Sequence, residues 1–241
     1  MKIEGKNAVY ELLKTDKTID KILLENGSKD ETSRKIKDMA RERGVKVQFA
    51  DRSALSKESE TGKCQGVIAY TSDFRYTETE DILAAAKAGN GFLVALAGVE
   101  DVHNLASVLR VCECAGVDGV IIPARRSAAV TDDVVRISAG AANHVKVARV
   151  TNLNAELDKI KEAGYWVTGA EADGEDIYRA DLTGNVCIVI GGEDSGIPQL
   201  TKKKCDRIVA LPMHGKVNSL NASVACGITV YEVLRQRTQR G

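Results

Sequence analysis

The chain has 241 residues, 44% of them hydrophobic, which is enough to bury a core in one large domain or two modest ones. Lysine and arginine together number 34, and so do aspartate and glutamate. This balance excludes a strong overall field that would attract a nucleic acid or a membrane, so any partner must be inferred from local features.

Apolar and amphipathic runs alternate through residues 1–72, which indicates a small α/β domain. The predicted helices are 8–13 and 33–43, and the predicted strands are 19–24, 45–49 and 66–70. A polar stretch with one short predicted helix at 81–88 follows. We therefore predict a first domain over residues 1–72 and a linker over residues 73–90.

The same alternation continues through residues 91–241 and predicts an α/β fold with a mostly parallel sheet covered by helices. The predicted strands are 92–97, 119–122, 145–147, 165–168, 187–190 and 207–211, and the predicted helices are 104–115, 132–137, 154–163, 200–204 and 220–237. On the last helix, apolar residues that include Val224, Ile228 and Tyr231 recur at helical spacing.

The cysteines favour a reducing compartment. Six are present without a Cys-x-x-Cys pair, and Cys187 lies in an apolar run, which is typical of buried thiols and not of disulfides or a zinc site. Residues 1–5 contain no apolar signal region, and no apolar run approaches the ~18 residues of a membrane helix. We expect a cytoplasmic protein with no metal and no membrane or DNA partner.

Three polar clusters lie at predicted strand ends, where α/β sheets place their sites. The first contains Asn104 and Arg110 at the start of a predicted helix. Asn104 as a helix cap and Arg110 as a solvated side chain would explain this cluster without a function. However, the apolar neighbours of Arg110 indicate that its guanidinium must find carboxylates, phosphates or backbone carbonyls.

The second and third clusters are residues 191–198 and 212–223. Glycines in the second would allow the backbone to approach a ligand closely, and the alternative is a tight turn. In the third, a Ser and an Asn lie where the last helix presents free N–H groups, and the alternative is a cap by Ser219. Neither a dinucleotide fingerprint nor a phosphate loop is present, which disfavours a nucleotide-dependent metabolic enzyme.

In order and spacing, the three clusters resemble the signature motifs of the SpoU (TrmH-like) family of RNA ribose 2′-O-methyltransferases, in the SPOUT class. The resemblance covers residues 92–237. Residues 5–9 and 65–67 are similar to the small substrate-binding domain of some members, particularly the bacterial 23S rRNA guanosine 2′-O-methyltransferases. The chain departs from the usual family pattern at Cys64, Ala106, Asn143 and Asn218.

The resemblance implies a C-terminal SPOUT domain with a deep trefoil knot, preceded by a small α/β RNA-binding domain. It also implies a homodimer that uses S-adenosylmethionine to methylate a ribose 2′-hydroxyl, most simply of a 23S rRNA guanosine. A tRNA guanosine 2′-O-methyltransferase is the alternative with the same chemistry. A non-catalytic RNA-binding factor in ribosome assembly is the alternative of another class.

The resemblance also assigns roles to residues. It gives Arg110 the activation of the ribose hydroxyl, although a guanidinium with a pKa above ~12 is better suited to holding a phosphate. Asn104 would orient Arg110 or the RNA, Glu193 would anchor the local network, and Ser219 and Asn221 would fix substrate and cofactor loops. The implied cofactor-binding residues are Thr168, Gly169, Gly191, Gly192, Gly196, Leu211, Met213 and Leu220. No metal is needed, because the sulfonium supplies the electrophile.

Overall fold

The computed structural model describes residues 2–15, 17–71, 74–193 and 196–239. The chain divides into two compact units. The first contains residues 1–75 and 129–132, and the second contains residues 76–128 and 133–241.

The first unit is a four-stranded sheet with helices on its faces. Its elements are β1 (Lys2–Glu4), α1 (Lys6–Leu12), β2 (Ile19–Glu25), α2 (Glu31–Glu42), β3 (Lys46–Ala50), α3 (Arg52–Glu58) and β4 (Val67–Thr71). The strand order is β1-β4-β2-β3; β2 and β3 are parallel, and β4 is antiparallel to both of its neighbours. The predicted helices and strands of this unit are present, and the sequence pattern missed only the short β1 and α3 among its elements.

The core of the first unit explains these elements. Val9 of α1 and Ile36 of α2 pack against Ile22 on one face of the sheet, and all three are fully buried. Leu55 of α3 packs on Ile68 in a smaller cluster. The Glu4 carboxylate accepts hydrogen bonds from residues 59–61, which ties the turn after α3 to β1.

The second unit contains the larger sheet. Its elements are α4 (Thr79–Ala85), β5 (Phe92–Ala97), α5 (Val102–Cys114), β6 (Gly119–Pro123), α6 (Asp132–Ile137), β7 (Val147–Val150), α7 (Leu153–Glu162), β8 (Trp166–Asp176), β9 (Val186–Gly191), α8 (Gln199–Lys202), β10 (Arg207–Ala210) and α9 (Ala222–Gln239). The strand order is β10-β8-β9-β5-β6-β7, and every pair is parallel. The predicted α/β class with a mostly parallel sheet is confirmed.

Two strand boundaries differ from the prediction for physical reasons. The backbone N–H of Val145 donates to the carbonyl oxygen of Ala141, which keeps Val145 in a turn, so β7 begins only at Val147. After Ala170, β8 leaves β9, and it pairs again with β10 only at Glu175 and Asp176, across a register shift, so it extends to Asp176. The helix α4 lies within the predicted linker, and its Ile82 is buried in the core of the second unit.

None of the helices in the described ranges is long and apolar enough to cross a membrane. The trefoil knot that the family resemblance implies stays a prediction.

Candidate functional site

A pocket of about 350 Å³ lies at the carboxyl end of β9, beside the part of β8 where its pairing with β9 ends. Its wall includes Gly191 at the end of β9, Leu211 after β10, and Ala225 in the first turn of α9. Eight of the predicted site residues line it: Gly191, Gly192, Glu193, Gly196, Leu211, Met213, Ser219 and Leu220. The second and third sequence clusters therefore meet at one pocket.

The loop after β9 needs its glycines. The N–H of Gly192 donates to the carbonyl oxygen of Ala97 at 3.2 Å, which holds the loop against the end of β5. A Cβ at Gly192 would overlap the carbonyl oxygen of Gly98, and one at Gly191 would overlap the backbone of Gly196. Because these neighbours are backbone atoms, which cannot rotate away, only glycine fits at positions 191 and 192.

Glu171 is a pocket residue that the sequence prediction missed. It follows Ala170, where β8 leaves β9, and its carboxylate accepts a hydrogen bond from the N–H of Ile197. Gly196 has a φ of +61°, and a Cβ there would overlap the Glu171 carboxylate. The available signal was an acidic residue just beyond the predicted strand 165–168, which ended too early to draw attention to it.

The charge of the pocket is negative. Among the described residues that line it, Glu171 and Glu193 are the only acidic side chains, and no lysine or arginine is present. A wall of this composition favours a cationic group on a bound ligand.

Asn104 connects the first sequence cluster to the pocket. Its side-chain Nδ2 donates to Glu193 Oε1, and its backbone N–H donates to Asp101 Oδ1 at 2.9 Å. Asp101 is therefore the N-cap of α5, and the alternative that made Asn104 the cap is wrong. The Asn104 amide is thus available to hold the Glu193 carboxylate at the edge of the pocket.

Arg110 does not line the pocket and is exposed. It lies less than two turns beyond Asn104 on α5, about 9 Å along the helix axis. Leu109 and Cys112 point into the core, but the helical period turns Arg110 to the opposite side. The sequence-based expectation that its apolar neighbours would surround the guanidinium is therefore wrong for this chain.

Asn221 is the residue that starts α9. Its Oδ1 accepts hydrogen bonds from the N–H groups of Ser223 at 3.0 Å and Val224 at 3.4 Å, and from the Ser223 hydroxyl at 2.7 Å. These contacts are those of an N-cap, so the alternative that gave this role to Ser219 is wrong. Ser219 instead lies in the pocket wall.

Thr168 and Gly169 lie outside the pocket lining. Both are buried in β8, and a Cβ at Gly169 would come within 3.0 Å of side chains that include Ile208 and Cys205. Thr168 is 1% exposed, and its hydroxyl has no hydrogen-bond partner among the described residues. The structure thus brings six of the eight predicted cofactor-binding residues to the pocket and leaves these two behind its wall.

None of the cysteines is among the described residues that line this pocket. All six are free, and burial raises the pKa of the Cys187 thiol above its usual range and that of Cys205 to about 11. Thiols in such surroundings are inert. Within the described ranges, no three or more His, Cys, Asp or Glu side chains are grouped so that they could hold a metal ion.

Comparison with known proteins gives two family matches. The SpoU rRNA Methylase family matches residues 91–231, and the family described as RNA 2′-O ribose methyltransferase substrate binding matches residues 2–77. A putative TrmH family tRNA/rRNA methyltransferase of Bacillus subtilis (strain 168) is 40% identical over 241 residues, which cover 98% of this chain and 96% of the relative.

Two solved structures illustrate the fold. An AdoMet-bound rRNA methyltransferase from Sinorhizobium meliloti has a TM-score of 0.62 at 21% identity, and the match covers 97% of this chain and 86% of that chain. A TrmH/SpoU tRNA-modifying enzyme from A. aeolicus has a TM-score of 0.59 at 25% identity, covering 68% of this chain and 83% of that chain.

Proposed function

The chain belongs to the SpoU rRNA methylase family, and from this we propose that it methylates RNA, transferring the methyl group of S-adenosylmethionine to the ribose 2′-hydroxyl of a 23S rRNA guanosine. The observation that carries the proposal is the hydrogen bond from Asn104 to Glu193 at the edge of the pocket. It joins the first two sequence clusters beside the third, which is the arrangement that a shared reaction requires.

The residues of the pocket fit S-adenosylmethionine. The bound cofactor would supply an electrophilic methyl group on a positively charged sulfur, and Glu171 and Glu193 give the wall the complementary charge. The loop at Gly191 and Gly192 allows close approach of a ligand, and Leu211 offers an apolar wall for an adenine ring.

The protein residues divide into those that shape the pocket and those that meet the RNA. A ribose hydroxyl is a poor nucleophile and must lose its proton while it is held in line with the methyl group. In our proposal, Asn104 fixes the Glu193 carboxylate and Ser219 positions the RNA or the cofactor. Arg110, exposed on α5, holds a phosphate next to the target ribose, because a guanidinium is a strong anion ligand and a poor base.

We propose that the first unit selects the RNA. For this reason our proposal names 23S rRNA as the substrate and not tRNA. This unit matches a substrate-binding family, and the rRNA methyltransferase described above aligns with nearly the whole chain. The tRNA-modifying enzyme aligns with only about two thirds of it. A substrate larger than tRNA fits a chain that carries this additional unit.

We propose a homodimer in which a second copy covers the outer face of α9. Val224, Ile228 and Tyr231, which recur at helical spacing, are 48%, 38% and 49% exposed. They form an apolar stripe on the helix whose first turn lines the pocket.

Light scattering should therefore give a dimer mass that Ile228→Glu lowers, and a monomeric wild-type chain would contradict this part of the proposal.

We also propose that the chain acts in the cytoplasm. Its six cysteines are free thiols and four are buried, which suits a reducing compartment.

The test of the proposed reaction uses radiolabelled S-adenosylmethionine with unmodified 23S rRNA and tRNA transcripts, followed by mapping of the label. Label on a guanosine ribose of 23S rRNA is expected. Label on tRNA would support the alternative substrate, and cofactor binding without label on either RNA would support the non-catalytic alternative. Arg110→Ala should abolish transfer and keep cofactor affinity, whereas Arg179→Ala, which removes another exposed arginine of the second unit, should change neither.

A further inference from the structure

Phe49 is an aromatic ring that the core of the first unit does not use. It lies on β3, the edge strand of the sheet, opposite Leu24 of β2. Leu24 is 2% exposed, whereas Phe49, on the edge strand, is 52% exposed. The ammonium of Lys37 on α2 lies 5.4 Å from the centroid of this ring.

The outer face of α2 beside Phe49 is basic. Ile36 and Ala40 are buried on the inner face of the helix. Arg34, Lys37 and Arg41 are exposed and recur at helical spacing, so they form one stripe, here called the α2 stripe. Between the ends of this stripe the sequence contains a single acidic residue, Asp38, so the stripe has a net positive charge.

A single exposed aromatic residue is common on protein surfaces and would mean little by itself. The combination with the α2 stripe is more specific, because aromatic rings and neighbouring cations are what proteins use to bind single-stranded nucleic acid. One ring is also too small for a stable protein interface, which needs an area near 800 Å² on each side, by order of magnitude.

We propose that Phe49 and the α2 stripe bind an unpaired segment of the RNA substrate, with a base stacked on Phe49 and phosphates held by the stripe. This rests on the proposed function, because it assumes an RNA substrate. It goes further by naming the surface of the first unit that takes the RNA and the single-stranded form that it takes.

The main test measures the affinity of the full chain for unmodified 23S rRNA transcript and for an oligouridine strand by filter binding. Phe49→Ala should weaken both by roughly 5- to 150-fold, and Phe49→Tyr should restore most of the affinity. Trp166→Ala is the matched control, since Trp166 is 57% exposed and has the Arg207 guanidinium 5.4 Å from its ring, but lies in the second unit. We expect this control to leave the affinity unchanged.

Salt dependence separates the two kinds of contact. Lys37→Gln should make the negative slope of log affinity against log salt shallower by about 0.7, the value for one phosphate contact with a single strand. Phe49→Ala should lower the affinity with no change of slope, because stacking releases no counterions. Circular dichroism checks that each variant is folded, and the exposure of both side chains predicts that it is.

The outcomes are distinguishable from those of the proposed function. Equal affinity of wild type and Phe49→Ala, or equal losses in Phe49→Ala and Trp166→Ala, would overturn this inference while methyl transfer by the wild type still supports the reaction. Preference for a duplex over a single strand of equal length would also overturn it. A wild-type chain that binds neither RNA would overturn both.

Discussion

Asn221 provides the sharpest test of how the third cluster works, because its side chain could act through either of two atoms. Its Oδ1 caps α9 through the N–H groups of Ser223 and Val224 and the Ser223 hydroxyl. Its Nδ2 is the atom that a direct role toward RNA or cofactor would use. Asn221→Ala removes both atoms, whereas Asn221→Asp keeps the accepting oxygen and removes the amide donor.

The cap fixes the expected magnitude. Loss of an N-cap side chain destabilises a protein by about 0.5–2 kcal/mol. For a protein of this size, 1 kcal/mol corresponds to roughly 2–4 °C in Tm, so Asn221→Ala should lower Tm by about 1–8 °C. Asn221→Asp should leave Tm unchanged or raise it slightly, because a carboxylate also interacts favourably with the N-terminal end of a helix.

Thermal unfolding and methyl transfer are measured on both variants. If Asn221 acts as a cap, Asn221→Asp retains the Tm and the transfer rate of the wild type, and Asn221→Ala loses part of both. An equal fall of Tm in the two variants would refute the capping argument. A normal Tm with lost transfer in Asn221→Asp would instead assign the function to the amide.

Three further perturbations follow from the structure. Gly192→Ala places a Cβ against the Gly98 carbonyl and should destabilise the second unit by about 2–4 kcal/mol in urea unfolding. The control Gly164→Ala, at φ +85° in open space, should lower the free energy of unfolding by about 1–2 kcal/mol. Equal losses in the two variants would count against the close approach of Gly192 to Gly98. Glu171→Gln keeps an acceptor for the N–H of Ile197 but removes the negative charge. Calorimetry should show that the affinity for S-adenosylmethionine falls about tenfold and that the affinity for the demethylated product, whose sulfur is uncharged, falls less. Equal losses of affinity for the two ligands would contradict the electrostatic argument. Hydrogen bonds from Thr61 and then Ser59 lower the pKa of Glu4 from 4.5 to about 2, so the stabilisation is complete above pH 4.5 and is lost as the pH falls toward 2. Glu4→Gln should make urea unfolding of the first unit less pH-dependent over that range, and an unchanged pH profile would argue against this network.

The central strands were predictable because parallel strands buried on both faces are continuous apolar runs. Residues 92–97 and 186–191 are of this kind, and every position in both strands is buried. The short β1 and α3 were not predictable in this way. β1 has three half-buried residues and α3 has one buried side chain, so neither shows a period that a sequence pattern can reveal.

The candidate site was predictable in its residue types and less so in its geometry. The three clusters identify Asn104 and Glu193, but their contact depends on β5 and β9 being neighbours, and strand order is not contained in hydrophobic periodicity. For Arg110, counting apolar neighbours along the chain gave the wrong surroundings, because adjacent residues on a helix point in directions about 100° apart. Glu171 was missed because β8 continues past its partner strand.

The two sides of α9 have a thermodynamic consequence. Ala222 and Ala225 form part of the pocket wall, and Val224 and Ile228 form part of the stripe that we assign to a second copy. One rigid helix would then contact the ligand on one side and the partner on the other. If association shifts this helix, subunit association and cofactor binding share a coupling free energy, which must be equal in both directions. Dilution of the protein would then weaken cofactor binding, and bound cofactor would lower the protein concentration at which the subunits separate.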